Sequence, residues 1–217
     1  MPSCRPAVVV VLALSAALSV RAAQVPTITT APVAVPAELA APIAALLSPT
    51  VTTVTTATTK IELWWVKSLA LPEGTKVAAW SEVADGTLVG AMRLGSAWTD
   101  IRGYTLKPGV YTLRFALQPQ NGDHMGISPN REFLLPAPAA DDTSAEPTGY
   151  KGAVELAKKA SRRAHPASIS IDPPSSSATP SSAMTNDLGH QVAIVSVPGS
   201  SGGSLTFGIV VEGMIEH

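Results

Sequence analysis

The chain has 217 residues, with 15 basic and 16 acidic side chains, a formal charge of −1 and one cysteine. That balance argues against nucleic-acid binding, which draws on a strongly basic face, and a single cysteine excludes an internal disulfide. Stability must therefore come from a hydrophobic core, and the length allows one domain or at most two small ones.

The N-terminus sets the compartment. Arg5 precedes an apolar run from Ala7 to Val20, and Val20-Arg21-Ala22 places small or apolar residues at the −3 and −1 positions of a cleavage site. This is the pattern of a secretory signal peptide over residues 1–22, and it predicts export to the periplasm or the exterior. The run is shorter than the roughly 20 residues needed to span a bilayer, and no later segment predicts a transmembrane span in the mature chain. Cleavage would take away Cys4, leaving no thiol nucleophile. It would also take Arg5 and Arg21 from the 15 basic residues, leaving 13 against 16 acidic ones, a net −3. The basic cluster of Lys158, Lys159, Arg162 and Arg163 reads as the solvated end of a helix.

Residues 23–36 are rich in Pro, Thr, Ala and Val without amphipathic period, and read as a flexible lead-in. Pro36 to Leu47 predicts a short helix weakened by Pro42. Thr50 to Thr59, nearly all Thr, Val and Ala, suits a strand through its β-branched residues. Ile61 to Val66 alternates, with Ile61, Leu63 and Trp65 on one face and Glu62 and Trp64 on the other. Lys76 to Trp80 continues an extended pattern, and Asp85-Gly86 marks a hairpin turn before a strand at Leu88 to Leu94.

Lys107-Pro108-Gly109 forms the next turn. Val110 to Leu117 follows, with Tyr111, Leu113, Phe115 and Leu117 on one face and Thr112, Arg114 and Ala116 on the wetter one. Arg131 to Leu135 is a strand that pairs nearby, ended by a Pro-containing acidic break from Pro136 to Pro147. Gly152 to Arg163 predicts the one strong helix of the second half, with Glu155 paired to Lys159 and basic residues in the last turns. Ile169 and Ile171 mark a short strand. Residues 173–187 read as a mobile Ser/Pro-rich loop. His190 to Val197 and Leu205 to Met214 close the chain as two strands joined by the Gly199–Gly203 cluster. The sum is a mainly β fold, an antiparallel β-sandwich of jelly-roll type with one or two short helices, forming a single domain over 37–217.

Chemistry is sparse. Gly199-Ser200-Ser201-Gly202-Gly203 matches G-x-S-x-G, but a nucleophile elbow needs a helix after the serine and here a strand follows. Asp141 and Asp142 are adjacent in a Pro-bounded loop and read as solubilising. The loop from Gln118 to Pro129 gathers Asp123, His124 and Met125, all of which can ligate a transition metal. Its plainer reading has Asp123 capping the Asn121-Gly122 turn, His124 hydrogen-bonded and Met125 packed. The metal alternative joins His124 with His165 and His190 around copper or zinc, although no two histidines are closely spaced and blue copper wants the missing cysteine. Otherwise no cofactor is expected. Trp64, pointing away from Trp65, joins Asp123, His124 and Met125 as a candidate ligand-binding residue, since an aromatic ring exposed on a sandwich can stack on a sugar, whereas burial under the N-terminal helix would make it ordinary core.

The segment WTDIRGYTLKPGVYTLRFALQPQNGDHMGISPNREFLL, with IELWWVKSL before it and SLTFGIVVEGMIEH at the end, resembles exported bacterial β-sandwich-like proteins of uncharacterised function. The resemblance covers most of the mature chain. It implies a secreted or periplasmic domain with no established reaction and no catalytic residues to carry over; Gly122, Asp123, His124 and Gly126 stand out in the shared motif. The resulting expectation is a noncatalytic exported domain that binds a cell-envelope component or a polysaccharide. An envelope metal-binding protein is the first alternative, and a polysaccharide-acting hydrolase the last, for want of an acid–base pair.

Overall fold

A computed structural model describes residues 25–75, 79–119, 130–173 and 179–215, so the leader 1–22 and the Asp123-His124-Met125 loop lie outside the described residues. The strands are β1 (Thr27–Pro32), β2 (Leu47–Thr55), β3 (Lys60–Val66), β4 (Leu88–Leu94), β5 (Trp98–Thr99), β6 (Thr105–Leu106) and β7 (Gly109–Leu117). They continue with β8 (Glu132–Pro138), β9 (Ile169–Asp172), β10 (Ser182–Thr185), β11 (Gln191–Pro198) and β12 (Ser204–Glu212). Two α-helices, α1 (Ala41–Leu46) and α2 (Gly149–Ser161), interrupt them.

Ten strands form one antiparallel sheet in the order β1-β2-β3-β4-β7-β8-β9-β12-β11-β10, and β5 pairs with β6 separately. The first half is a run of neighbouring strands. The second ends in a Greek-key return, with β10, β11 and β12 joined in sequence and β9 lying beside β12. The sheet folds over until its two ends, β1 and β10, touch without sharing a ladder. The fold is thus mainly β, a nearly closed antiparallel sheet with two short helices.

Alternation decides what lies inside. Ile61, Leu63 and Trp65 of β3 pack with Leu113 and Phe115 of β7 and with Leu205, Phe207 and Ile209 of β12. The centre is aromatic: Trp65 meets Phe207 edge-on with centroids 5.6 Å apart, and Trp80 stacks on Phe115 at 4.8 Å while also meeting Phe207 edge-on at 4.8 Å.

The outer face of β7–β8 is covered by α2, whose small Ala153 and Ala157 pack with Ala116 and Leu135. The outer face of β11–β12 carries Val192, Ile194 and Val210, packed against Ile101 and Ile215. There the C-terminal segment is tied down by the Ile215 amide donating to the Ile101 carbonyl (2.8 Å).

Several expectations need correction. Residues 27–32, expected to be flexible, form β1 and pair along the whole of Thr50–Thr55, because their β-branched threonines suit a pleated edge. Trp80 sits in a short 3-10 turn over Trp80–Glu82 rather than in a strand. The prolines do not stop β8: Pro136 and Pro138 are in register with Leu113 and Tyr111. Residues 182–185, expected within a mobile loop, form β10 against β11. Arg114, assigned to the wetter face, is fully buried because α2 covers that face.

Tyr111 and Tyr150 should titrate late. Burial raises the Tyr111 pKa above 10.0, partly opposed by the hydrogen bond its hydroxyl donates to the Lys107 carbonyl (2.7 Å). Burial, then the nearby Asp85 charge, raises that of Tyr150, with Lys158 acting in the other direction. Both phenols are therefore held neutral in the folded state. Their contribution is complete below the unfolded value of 10.0 and is lost as pH rises through the folded-state values, since the unfolded chain releases those protons first. In an alkaline ultraviolet titration the two should ionise later than in the urea-unfolded chain. Tyr111→Phe should make stability fall less steeply with pH in that range; an unchanged slope would contradict the assignment.

Candidate functional site

Each predicted site residue can now be placed. Asp123, His124 and Met125 belong to the connection between β7 and β8. Its base is closed by the Gln118 amide donating to the Arg131 carbonyl (2.8 Å) and by Arg131 Nη2 donating to the Gln118 carbonyl (3.0 Å).

Trp64 is fully buried, which corrects its assignment as a ligand-stacking ring. Its face of β3 is covered by the chain before β2. Trp64 Nε1 donates to the Val33 carbonyl (3.2 Å), and Arg93, 5.4 Å over the ring, is held by Glu38 and Glu62. No indole face is left for a sugar.

His165 is exposed beyond α2, with its carbonyl accepting from Ser161. His190 is buried at the start of β11, its Nε2 3.3 Å from the Met214 carbonyl. Gly213 presses on that imidazole so closely that a Cβ there would lie 2.4 Å from the ring. Among the described residues, no three His, Cys, Asp or Glu side chains gather as a ligand set for a metal ion.

The G-x-S-x-G segment is a hairpin loop, as its flanking strand predicted. Gly199 donates to the Gly203 carbonyl (3.1 Å), and the Ser200 hydroxyl accepts from the Leu71 amide (3.0 Å), so this serine staples 69–71 to the β11–β12 turn.

Two buried polar networks escaped sequence reasoning. In the first, Arg114 is fully buried, donating from Nε and Nη2 to the two Asp142 oxygens at 2.7 Å each. Its Nη1 donates to the Gly86 and Glu146 carbonyls and its Nη2 to that of Ser144, while the Thr112 hydroxyl donates to Asp142. Asp142 is thus no solubilising residue; its neighbour Asp141 is the surface one, paired with Lys159 at 3.0 Å. In the second, buried Asp100 accepts from the amides of Arg102, Tyr104 and Ser168, and Arg102 Nη2 joins Asp100 to Ser168 and the Pro166 carbonyl. Both networks fasten loops to the sheet, and neither opens on a cleft.

The feature suited to a ligand is a groove of about 420 Å³ where β1–β3 meet β10–β11. Its geometry starts with an irregularity in the β2–β3 ladder. Leu47 pairs with Val66 and Val51 with Trp64, so Ser48, Pro49 and Thr50 stand opposite Trp65 alone. Extra residues of this kind bend a strand and re-aim its side chains. The Leu63 face of β2, apolar at Val54, therefore turns hydroxylic at Thr52 and Thr50, with Thr30 of β1 beside them.

The opposite wall comes from Pro180, Ser181, Val195, Ser196 and Pro198. Here β10 ends: the Ser181 amide donates to the Ile194 carbonyl (2.8 Å), and β10 pairs no further along β11 than Ile194. Strand alternation turns the Ser196 main chain to the same side as that of Ile194, where β10 is no longer present. Trp65 is 7% exposed and lines the groove, and its Nε1–H has no acceptor among the described residues. Lys67 stands at the rim.

Of this lining only Thr50 and Thr52 belong to the Thr50–Thr59 run read from the sequence; Thr30, Ser48, Ser181 and Ser196 carried no local signal. Chemically the groove offers hydroxyl donors and acceptors, an aromatic wall and one cation, without a nucleophile–base pair. Comparison of the chain with family models, curated proteins and solved structures returns no match.

Proposed function

We propose that the chain is an exported, noncatalytic β-domain that binds carbohydrate in the groove between β1–β3 and β10–β11. The observation that carries this reading is the lining of Thr30, Ser48, Thr50, Thr52 and Ser181 beside Trp65 in a space of about 420 Å³, with the β11 main chain at Ser196, whose hydroxyl accepts from Thr206 (3.2 Å), opposite. That volume lies within the range of small-molecule sites, which combine apolar surface with a few convergent polar groups. Sugars present that mixture, with hydroxyls at the ring edge and an apolar C–H face. The leader-like residues 1–22 support export, which places such a domain among envelope or extracellular polymers.

Affinity electrophoresis of the mature protein through gels containing a panel of polysaccharides tests the reading. At least one polymer should retard it, and Thr30→Val with Thr50→Val should weaken that retardation. Each lost hydrogen bond costs about 0.5–1.5 kcal/mol, so the double variant should bind several-fold to more than tenfold more weakly. Both positions are at the surface of the groove, so the variants should keep the parent melting temperature. An unretarded protein across the whole panel would overturn the proposal.

A further inference from the structure

The groove has one charge, and that charge lacks a counter-ion. Lys67 lies two residues beyond Trp65, so its side chain leaves the chain on the groove side, and it is exposed at the rim. Its Nζ donates to the Ala45 carbonyl (2.8 Å), which anchors the ammonium to the residues before β2. An ammonium has three donors, so two remain for a ligand. No residue lining the groove is acidic, and among the described residues Lys67 pairs with no carboxylate. By contrast Lys60, Lys158 and Lys159 are each engaged by a carboxylate.

We infer that the groove selects an acidic sugar, a uronate-type unit whose carboxylate meets the Lys67 ammonium while its hydroxyls meet Thr30, Thr50 and Thr52. This rests on the carbohydrate reading above and adds the charge of the ligand. A neutral sugar offers the ammonium only hydroxyl oxygens, with no opposite charge to meet it. A carboxylate forms a charge-assisted hydrogen bond, about twice as strong as a neutral one.

The test uses the mature protein, oligogalacturonate and its fully methyl-esterified form, which share hydroxyls and differ in charge, with binding measured by isothermal titration calorimetry. The acid should bind about tenfold more tightly than the ester, the scale of one charge-assisted bond. Lys67→Gln should bring acid and ester within about twofold of each other, with the loss falling mainly on the acid. Lys151→Gln, an equal loss of charge on exposed α2, should leave the preference intact.

Equal binding of acid and ester by the parent protein would overturn this inference while leaving the carbohydrate reading standing. Equal damage from Lys151→Gln would also overturn it, reducing the preference to net charge. Failure of both oligosaccharides and of every neutral polymer in the gels would remove both proposals.

Discussion

Replacing Arg114 with Ala should destabilise the protein by about 3–5 kcal/mol, the usual result of removing one partner from a buried ion pair. The side chain is fully buried and makes five hydrogen bonds, two to Asp142 and three to the carbonyls of Gly86, Ser144 and Glu146. Truncation leaves the Asp142 carboxylate uncompensated under α2 and strips three main-chain acceptors of their donor. For a domain of this size 1 kcal/mol moves the melting temperature by about 2–4 °C, so a fall of roughly 6–20 °C is expected.

Asp142→Ala should be nearly as damaging, because it buries a guanidinium without its anion. The paired replacement Arg114→Met with Asp142→Leu should recover part of the loss, since no unpaired charge remains and only the carbonyl contacts are missing. Urea denaturation of the parent, Arg114→Met, Asp142→Leu and the paired variant gives the coupling energy. Single variants within about 0.5 kcal/mol of the parent would show that the clasp is not closed in solution.

Phe207→Ala should cost a comparable 3–5 kcal/mol, by a different mechanism. Phe207 is 1% exposed and touches two indole rings edge-on, that of Trp65 at 5.6 Å and that of Trp80 at 4.8 Å. Truncation removes the transfer free energy of the ring, leaves a cavity at the centre of the folded-over sheet, and takes away both aromatic contacts. Phe207→Leu fills more of the space and should cost less. Tryptophan fluorescence provides a local readout alongside the urea midpoint: emission should shift to the red in Phe207→Ala as Trp65 and Trp80 lose their packing. A spectrum identical to the parent would mean that the cavity is refilled by repacking. Because Trp65 also lines the groove, the same variant should weaken carbohydrate retention, which Arg114→Ala at its distance from the groove should leave unchanged.

The strands were legible because each carries its own evidence. Tyr111, Leu113, Phe115 and Leu117 alternate, and so do Leu205, Phe207, Ile209 and Val211; both runs lie in strands that supply the core. Turn residues fixed where those strands end. Alternation also gave the two faces of each strand, but not what would cover them. Trp64 and Arg114 were assigned to outer faces correctly and to solvent wrongly, because the chain at 33–46 packs over one and α2 over the other.

Asp141 and Asp142 show the same limit in adjacent residues. One carboxylate pairs with Lys159 at the surface; the other is 2% exposed against Arg114. Nothing local distinguishes them, since the difference is made by a side chain 28 residues away.

By itself, then, the sequence determined an antiparallel, mainly β chain with one or two short helices, for the physical reason that strand periodicity, turn chemistry and helix-terminal charges are properties of contiguous residues. The tertiary structure alone decided where a ligand fits. The groove exists because β10 ends at Ser182 opposite Ile194, and because the irregular β2–β3 ladder sets three residues opposite Trp65, so that Thr50 and Ser196 come to share one space. That meeting depends on the closure of a ten-stranded sheet between segments nearly 150 positions apart in the chain, a separation no local pattern can encode.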